Sequence, residues 1–163
     1  MPELKIIDDL MAPSDTAKVT FKGMNPSNVL GMVPDLIKNT MKISAKDLLE
    51  TDMRWDVTNE VITYYGVWMG KRTEDRWSKT FIRVIVQGDQ HSKEKTGSFS
   101  IQIKGTLETT YEYSNAFQRF FWLFYNRQFY HDQRRKYLDE GKTDILDMKE
   151  EILSKFGIEP RDE

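Results

Sequence analysis

The residues that could carry chemistry are few and scattered along this chain. Among its 163 residues there is no cysteine, and the only histidines are His91 and His131. The two histidines show no metal-ligand spacing, and the lack of cysteine excludes thiolate zinc sites and cysteine nucleophiles. The sequence contains no glycine-rich phosphate loop and no Gly-x-Ser-x-Gly nucleophile motif. We therefore identify no catalytic residue, metal ligand or cofactor site, which favours a non-enzymatic protein.

The most informative segment is AFQRFFWLFYNRQFYHDQRRKY, residues 116–137. Projected as a helix at about 100° per residue, its first three turns are apolar nearly all round. A helix that covers one face of a sheet needs an apolar stripe little wider than ~100°. Something besides the sheet must therefore cover this helix. The candidates are other helices of the chain, a second copy of the chain, or a different partner or ligand.

One hypothesis is that aromatic side chains of this helix anchor a homodimer or a protein partner. Each aromatic side chain buries ~150–250 Å², and two or three left exposed would form a patch of the size that usually marks an interface. The candidate interface residues are Trp122, Tyr125, Phe129 and Tyr130.

A second hypothesis is a cavity between this helix and the sheet, holding a small apolar ligand. Three phenylalanines share the arc that is expected to face the sheet, and the same arc continues as polar residues. A few convergent polar groups would orient a mostly apolar ligand. Alternatively, the helix leaves the sheet near Asn126 and these polar side chains are solvated. The candidate cavity residues are Phe117, Phe121, Phe124, Gln128, His131 and Arg135.

A third hypothesis is nucleic-acid binding by four basic residues. A basic patch interleaved with aromatics can hold single strands through phosphate contacts and stacking. Here the aromatics occupy the first turns and the bases the last, the segment from Leu138 onward is rich in acids, and the net charge is −2. Nucleic acid is therefore the least favoured partner. The residues concerned are Arg127, Arg134, Arg135 and Lys136.

The elements around this helix predict an α+β fold with a curved antiparallel sheet. Runs of β-branched and aromatic residues predict several strands. In the last of them, the alternation of Phe99, Ile101 and Ile103 with polar residues predicts one buried and one solvent-exposed face. Gly105 falls on the buried face, which indicates a bend or the close approach of a helix. The five predicted strands cover residues 17–22, 53–57, 61–69, 77–87 and 98–113.

The remaining elements are predicted as helices. Two short helices, separated at Pro34, are expected after the first strand, with Asn25 as the cap and Pro26 at the first helical position. The long aromatic helix is expected to pack on the sheet and to end before Gly141. One extra helix is expected over residues 144–156.

The chain is predicted to be a single domain over residues 17–157, with residues 1–16 as a leader or tail and 158–163 as a polar tail. The first residues contain acids and no long apolar core, unlike a signal peptide. No apolar run reaches the ~20 residues that span a bilayer. With the lack of cysteine, these features indicate a cytoplasmic protein without a membrane partner.

The order of predicted elements resembles the helix-grip fold of START-like proteins, in which a curved sheet wraps a long C-terminal helix around a ligand cavity. The resemblance covers about residues 17–140 and lies in the topology rather than in a motif. It implies binding of a small apolar molecule or a chaperone-type role, since this fold hosts many functions.

Overall fold

In a computed structural model, which describes residues 2–12, 14 and 16–159, the chain is an α+β protein with a six-stranded antiparallel sheet. The predicted fold class, the antiparallel sheet and the long C-terminal helix are confirmed. The strands are β1 (Glu3–Asp9), β2 (Ala17–Met24), β3 (Leu48–Asp56), β4 (Val61–Thr73), β5 (Ser78–His91) and β6 (Thr96–Glu112).

The helical elements are α1 after β2 and a long helix after β6. A single 3₁₀ turn, Ala45–Asp47, links α1 to β3. The long helix consists of two α-helical segments joined by one π-helical turn. The bounds are α1 (Asn28–Met41), α2 (Ala116–Tyr125), the π-turn (Asn126–Tyr130) and α3 (His131–Phe156).

Strands β3, β4, β5 and β6 form a meander, and two further strands pair with the free edge of β6. Both β1 and β2 run antiparallel to β6, β1 along residues 106–112 and β2 along residues 96–103. They therefore lie end to end on the same edge of β6. Each predicted strand is present, and β5 and β6 extend further into their connection than predicted, so that only residues 92–95 form the loop.

Strand β1 replaces the expected leader. Its residues alternate between half-buried and exposed positions, and Leu10 and Met11, which follow it, lie in the hydrophobic core. The segment is therefore part of the sheet rather than a tail. Its alternation is only seven residues long and is broken by Asp8, which explains why the sequence did not reveal it. Residues 1, 13 and 15 of this segment lie outside the described residues.

Helices α1 and α3 pack on the same face of the sheet, and glycines in the strands allow the helices to come close. A side chain at Gly70 of β4 would meet Ile37 and Met41 of α1 at 2.7 and 2.6 Å. A side chain at Gly105 of β6 would meet Ile145 of α3 at 2.9 Å. The predicted close approach of a helix at Gly105 is therefore confirmed, because a larger residue would push the helix away.

Helix α1 is continuous through Pro34, so the prediction of two short helices is wrong. An internal proline costs about 3 kcal/mol, but each apolar side chain fully buried here returns about 1.5–3 kcal/mol. The predicted cap is also displaced: Asn25 has a left-handed backbone (φ 53°) and the helix begins at Asn28. The buried residues of α1 are Val29, Leu30, Val33, Leu36, Ile37 and Met41.

The aromatic helix and the expected extra helix are one continuous helix, so the predicted break at Gly141 is wrong. Gly141 lies inside α3, where an added side chain would meet both Cδ atoms of Leu10 at 2.8 Å. This glycine makes room for the core rather than ending a helix. The helix ends instead at Gly157, which adopts the left-handed conformation (φ 62°) typical of a helix C-terminus. Residues 160–163 of the predicted tail lie outside the described residues.

Candidate docking surface on the aromatic helix

The long helix is about 60 Å long at 1.5 Å per residue, and only part of it rests on the sheet. Segment α3 packs on β2, β5, β6 and α1, whereas α2 contacts the sheet chiefly at the end of β6, where Trp122 meets Tyr111 and Glu112. Six residues of α3 are buried, while no residue of α2 is. Segment α2 is thus an aromatic arm that continues α3 beyond its support.

The side of α2 that faces the protein is held by what we call the inner aromatic cluster: Trp77, Tyr111, Trp122, Tyr125 and Tyr130. The Trp77 ring lies 6.0 Å from Trp122, 5.7 Å from Tyr125 and 5.4 Å from Tyr130, each edge to face. Tyr111 stacks on Trp122 at 4.6 Å with nearly parallel rings. The Trp122 indole N–H donates to the Glu112 carbonyl at 2.9 Å, so both the ring and its polar edge have partners.

The opposite side of α2 is exposed and apolar, and we call it the phenylalanine patch. At 100° per residue it occupies an arc of about 160° on α2, and Phe129 joins it by packing on Phe124 at 6.1 Å. No charged residue lies within this arc, Arg119 being at its margin. The exposed fractions are 79% for Phe117, 70% for Phe129, 68% for Phe120, 51% for Phe121, 50% for Phe124 and 39% for Leu123.

The exposed area of the patch has the size of a protein interface. If a phenylalanine offers about 200 Å², the five phenylalanines and Leu123 together expose roughly 700 Å² of apolar surface. A standard interface buries about 800 Å² per partner. Apolar patches on monomers reach a few hundred Å², and larger ones mark interaction sites.

The start of α2 is capped, so the arm is a defined helix despite its exposure. The Asn115 Oδ1 atom accepts a hydrogen bond from the Gln118 N–H at 2.9 Å. The Gln118 Oε1 atom in turn accepts from the Ser114 N–H at 2.7 Å and from its hydroxyl at 2.8 Å. Reciprocal bonds of this kind satisfy the free N–H groups of a helix N-terminus.

Beneath the π-turn, a polar network centred on Asp75 fixes the helix to the β4–β5 turn. Its carboxylate accepts hydrogen bonds from the Tyr130 hydroxyl, from the Tyr137 hydroxyl at 3.0 Å, and from the N–H groups of Trp77 and Ser78 at 2.8 and 2.9 Å. Burial raises the pKa of Asp75, but the hydrogen bonds from Tyr130, Trp77, Ser78 and Tyr137 outweigh it and hold this pKa below its usual range. Asp75 therefore remains ionised.

Tyr130 is the hydroxyl that completes this network. Burial, followed by the hydrogen bond to Asp75, raises the pKa of Tyr130 above its ordinary value, so this hydroxyl stays protonated and donates. The Ser78 hydroxyl lies 2.8 Å from Tyr130 and 2.9 Å from Thr109. Every polar atom of this set has a partner, as expected for a structural network rather than a catalytic one.

The six predicted cavity residues do not line a space between helix and sheet. Phe117, Phe121 and Phe124 belong to the outward phenylalanine patch. The polar residues that follow them, Gln128, His131 and Arg135, are also exposed. These polar side chains are solvated, but the helix does not leave the sheet near Asn126, because α3, which begins at His131, packs on β2, β5 and β6.

The four predicted interface residues are divided between the two sides of α2. Phe129 is exposed and belongs to the patch. Trp122 and Tyr125 are half-buried and Tyr130 is buried, all three within the inner aromatic cluster. Only Phe129 of these four residues therefore lies on the exposed side of α2, which also carries Phe120 and Leu123, two residues not selected from the sequence. No motif in the sequence marks the π-turn.

The basic residues proposed for nucleic acid also separate. Arg134 is buried and paired with Asp8, so it is not available to a phosphate. Arg127, Arg135 and Lys136 are exposed. Arg135 and Lys136 border a surface depression of about 530 Å³ together with four acids, which offset their charge. These acids are Asp132, Asp139, Glu140 and Asp144.

The sheet face away from the helices carries a second concave surface, a groove of about 860 Å³. Two rows of cross-strand neighbours run there from β2 through β6, β5 and β4 to β3. Nearly all of these residues are polar. Its two bases and two acids balance, and Arg54 lies over the Tyr65 ring at 5.5 Å. The rows are Lys22, Ser98, Asp89, Thr63 and Asp56, and Thr20, Ser100, Gln87, Tyr65 and Arg54.

Two further features bear on function within the described part of the chain. No helix there is long and apolar enough to cross a membrane. No group of three or more histidine, aspartate or glutamate side chains there is arranged to hold a metal ion.

Comparison with known proteins adds no functional assignment. No protein-family model matches the sequence, and no curated protein matches it. A solved protein of unknown function from Staphylococcus aureus is similar at 12% identity, over 89% of this chain and 98% of that one, with a TM-score of 0.27. An uncharacterized protein from Rhizobium leguminosarum is similar at 5% identity, over 88% and 98%, with a TM-score of 0.17. Both scores are too low to support an argument about fold or function.

Proposed function

We propose that this protein is a non-enzymatic assembly module that self-associates through α2, with the phenylalanine patch as the contact surface. The observation that carries the proposal is the exposure of five phenylalanines and Leu123 on one side of a capped helix. Water contact with this much apolar surface costs about 25 cal/mol per Å², so an occupant that removes it is strongly favoured.

A second copy of the chain is the occupant that fits this area. Two patches of roughly 700 Å² facing each other would bury about 1,400 Å² in total, within the 1,200–2,000 Å² of stable interfaces. A two-fold pair uses the same patch on both copies, so no other surface is required. The patch is rich in aromatic residues, as the cores of interfaces are.

The other functions suggested by the sequence receive less support. A helix-grip carrier would need the phenylalanines to face the sheet, and they point away from it. Nucleic-acid binding would rely on Arg127, Arg135 and Lys136, and neighbouring acids offset the charge of Arg135 and Lys136. If the wild-type protein is retained on heparin and this retention is unchanged when these residues and Arg134 become serine, the nucleic-acid hypothesis is excluded.

Native mass spectrometry tests the proposal directly, because it reports both oligomeric mass and any bound passenger. We expect twice the 19.3 kDa chain mass with nothing attached. A strict monomer at all concentrations would refute self-association. A monomer carrying a few hundred daltons of extra mass would instead favour a ligand carrier.

Two exposed leucines of the same helix provide a matched pair of variants. Leu123 is 39% exposed in the patch, and Leu146 is 42% exposed on α3 outside it. We expect Leu123→Ala to weaken self-association measured by sedimentation equilibrium, and Leu146→Ala to leave it unchanged. Phe120→Ala combined with Phe124→Ala should weaken it by about a hundredfold or more, since central aromatic anchors contribute 2 kcal/mol or more each. Equal effects of the two leucine variants would place the contact elsewhere.

A further inference from the structure

We propose that the π-turn Asn126–Tyr130 sets the rotational phase of α2 relative to α3, and thereby decides which face of α2 is offered to a second copy. The part concerning the second copy rests on the proposed function, whereas the phase itself is a property of one chain. Single π-turns inside α-helices occur frequently at functional sites.

The phase difference is visible in which residues face the protein. In α3 the buried residues include Tyr137, Ile145 and Met148. Continued backward at 100° per residue, the same side of an uninterrupted α-helix reaches Leu123, with Phe120 beside it. The structure instead turns Trp122 and Tyr125 inward and leaves Leu123 and Phe120 exposed. The inward side of α2 is thus displaced by about one residue, or about 100°.

The π-turn accounts for this displacement through a pair of tyrosines five residues apart. In an α-helix, residues i and i+5 point about 140° apart. Here Tyr125 and Tyr130 stack at 6.2 Å with their rings 17° from parallel. Both reach the Trp77 ring, at 5.7 and 5.4 Å. The i→i+5 geometry of the π-turn brings both tyrosines to the same side, where one tryptophan contacts them.

The same turn assembles the outer surface. Phe124 and Phe129 are also five residues apart, and their rings lie 6.1 Å from each other. In a straight α-helix Phe129 would point away from Phe124. The π-turn therefore brings Phe129, which is 70% exposed, into the patch carried by α2.

Hydrogen bonds at both ends of the π-turn hold it in place. Tyr130 donates to Asp75 at one end, and Asn126 Oδ1 accepts from the buried Tyr111 hydroxyl at 3.3 Å at the other. The sheet and the β4–β5 turn thus fix two points of the helix, at Asn126 and Tyr130. The number of residues between these points determines how far α2 is rotated about the helix axis relative to α3. Removing one residue between these points would let the helix run straight and would turn Leu123 toward the protein.

Thiol labelling reads this phase directly, because the chain contains no cysteine of its own. Single substitutions Leu123→Cys, Leu146→Cys and Ile145→Cys are compared at concentrations where the protein is monomeric. We expect Leu123→Cys to react as fast as the exposed Leu146→Cys. Reaction as slow as at the buried Ile145→Cys would overturn the inference.

Deletion of Gln128, an exposed residue of the π-turn, tests the cause. In the deleted chain the thiol of Leu123→Cys should become protected by about tenfold or more, and self-association should weaken. The matched control is deletion of Arg119, which removes one residue before Leu123 and should leave its reactivity unchanged. Deletion of Arg127 repeats the test within the same turn if the Gln128 deletion fails to fold.

The outcomes separate the two proposals. Unchanged reactivity of Leu123→Cys in a folded deletion chain overturns the role of the π-turn, whatever the oligomeric state. If neither deletion folds, each deletion is combined with the inserted alanine Tyr125-Ala-Asn126, and failure of this restored length to recover folding also overturns it. A wild-type chain that never self-associates refutes the assembly module, while the labelling pattern still decides the phase.

Discussion

Segments α2 and α3 belong to one long helix that contains a π-turn, yet they are held in place by different means. Segment α3 lies on the sheet with Ile145, Met148 and Ile152 fully buried, and ion pairs from Arg134 to Asp8 and from Asp144 to Arg72 flank this contact. Segment α2 touches the rest of the chain mainly through Trp122 and Tyr125. Helical conformation in α2 therefore does not depend on full burial of an apolar face. A helix as short as α2 would be marginal alone, but α3 and the cap at Asn115 support it from both ends.

The largest expected difference between the two segments concerns core stability. Ile145→Ala in α3 should lower the free energy of unfolding by about 2–5 kcal/mol, because it removes buried methyl groups and leaves a cavity. Phe120→Ala in α2 should change it by no more than about 0.5 kcal/mol in the monomer, since the ring is exposed. Urea unfolding below the association concentration provides the measurement. Similar losses for the two variants would remove the distinction between the segments.

The second prediction concerns the junction of the segments at Asp75. Asp75→Asn should lower stability near pH 7 by about 1.5 kcal/mol, because the acceptor loses its charge and the amide NH2 cannot accept hydrogen bonds as the second carboxylate oxygen does. The folded-state pKa of Asp75 lies below its unfolded value of about 3.9. Its stabilising contribution is therefore complete above pH 5 and is lost as the pH falls through the folded-state pKa. Urea unfolding from pH 7 to pH 3 should show the wild type and the variant converging at low pH; a constant difference would contradict this.

A third, smaller effect compares two glycines in helices. Gly141→Ala places a methyl group against Leu10, which is itself enclosed by Gly105, and overpacking costs about 1–3 kcal/mol. The gain in helix propensity is at most about 1 kcal/mol, so we expect a net loss. Gly31 in α1 has nothing within 4 Å of an added side chain, and Gly31→Ala should stabilise. Thermal unfolding of both variants checks the opposite signs.

The smallest expected effect on global stability comes from the cap of α2. Asn115→Ala removes the hydrogen bond to the Gln118 N–H, a loss of about 1 kcal/mol for the helix end. Because α2 buries no residue, this loss should appear as faster amide hydrogen exchange in residues 116–121, with the global free energy of unfolding nearly unchanged. A drop in global stability equal to the local loss would show that α2 unfolds together with the core.

The sequence revealed the elements whose pattern is regular and long. The alternation through Phe99, Ile101 and Ile103 predicted β6. Runs of β-branched and aromatic residues likewise predicted the other strands of the meander. Interruptions were misjudged where tertiary packing outweighs local preference: Pro34 and Gly141 read as helix ends, but the core holds both helices intact. Strand β1 was missed because seven residues at an edge carry too little pattern.

The sequence predicted part of the candidate site, whose role stays a proposal. Aromatic residues in excess of what one sheet can cover pointed to residues 116–130, and five phenylalanines of this segment are exposed. Which face would be exposed depends on the π-turn, and therefore on how Trp77, about fifty residues earlier in the β4–β5 turn, holds Tyr125 and Tyr130. A relation between segments so distant in sequence is invisible to helical periodicity, which assumes a constant 100° per residue.

The end-to-end placement of β1 and β2 along β6 has a consequence for the order of folding. The strands from β3 to β6 can pair one after another through short connections, which is fast because each loop to be closed is small. Strand β1 must instead wait for residues about a hundred positions later, and closing so long a loop costs conformational entropy. During synthesis, β1 therefore cannot pair, and Leu10 cannot be buried, until β6 and α3 have left the ribosome. Strand β1 is thus synthesised before the other strands but is among the last to pair.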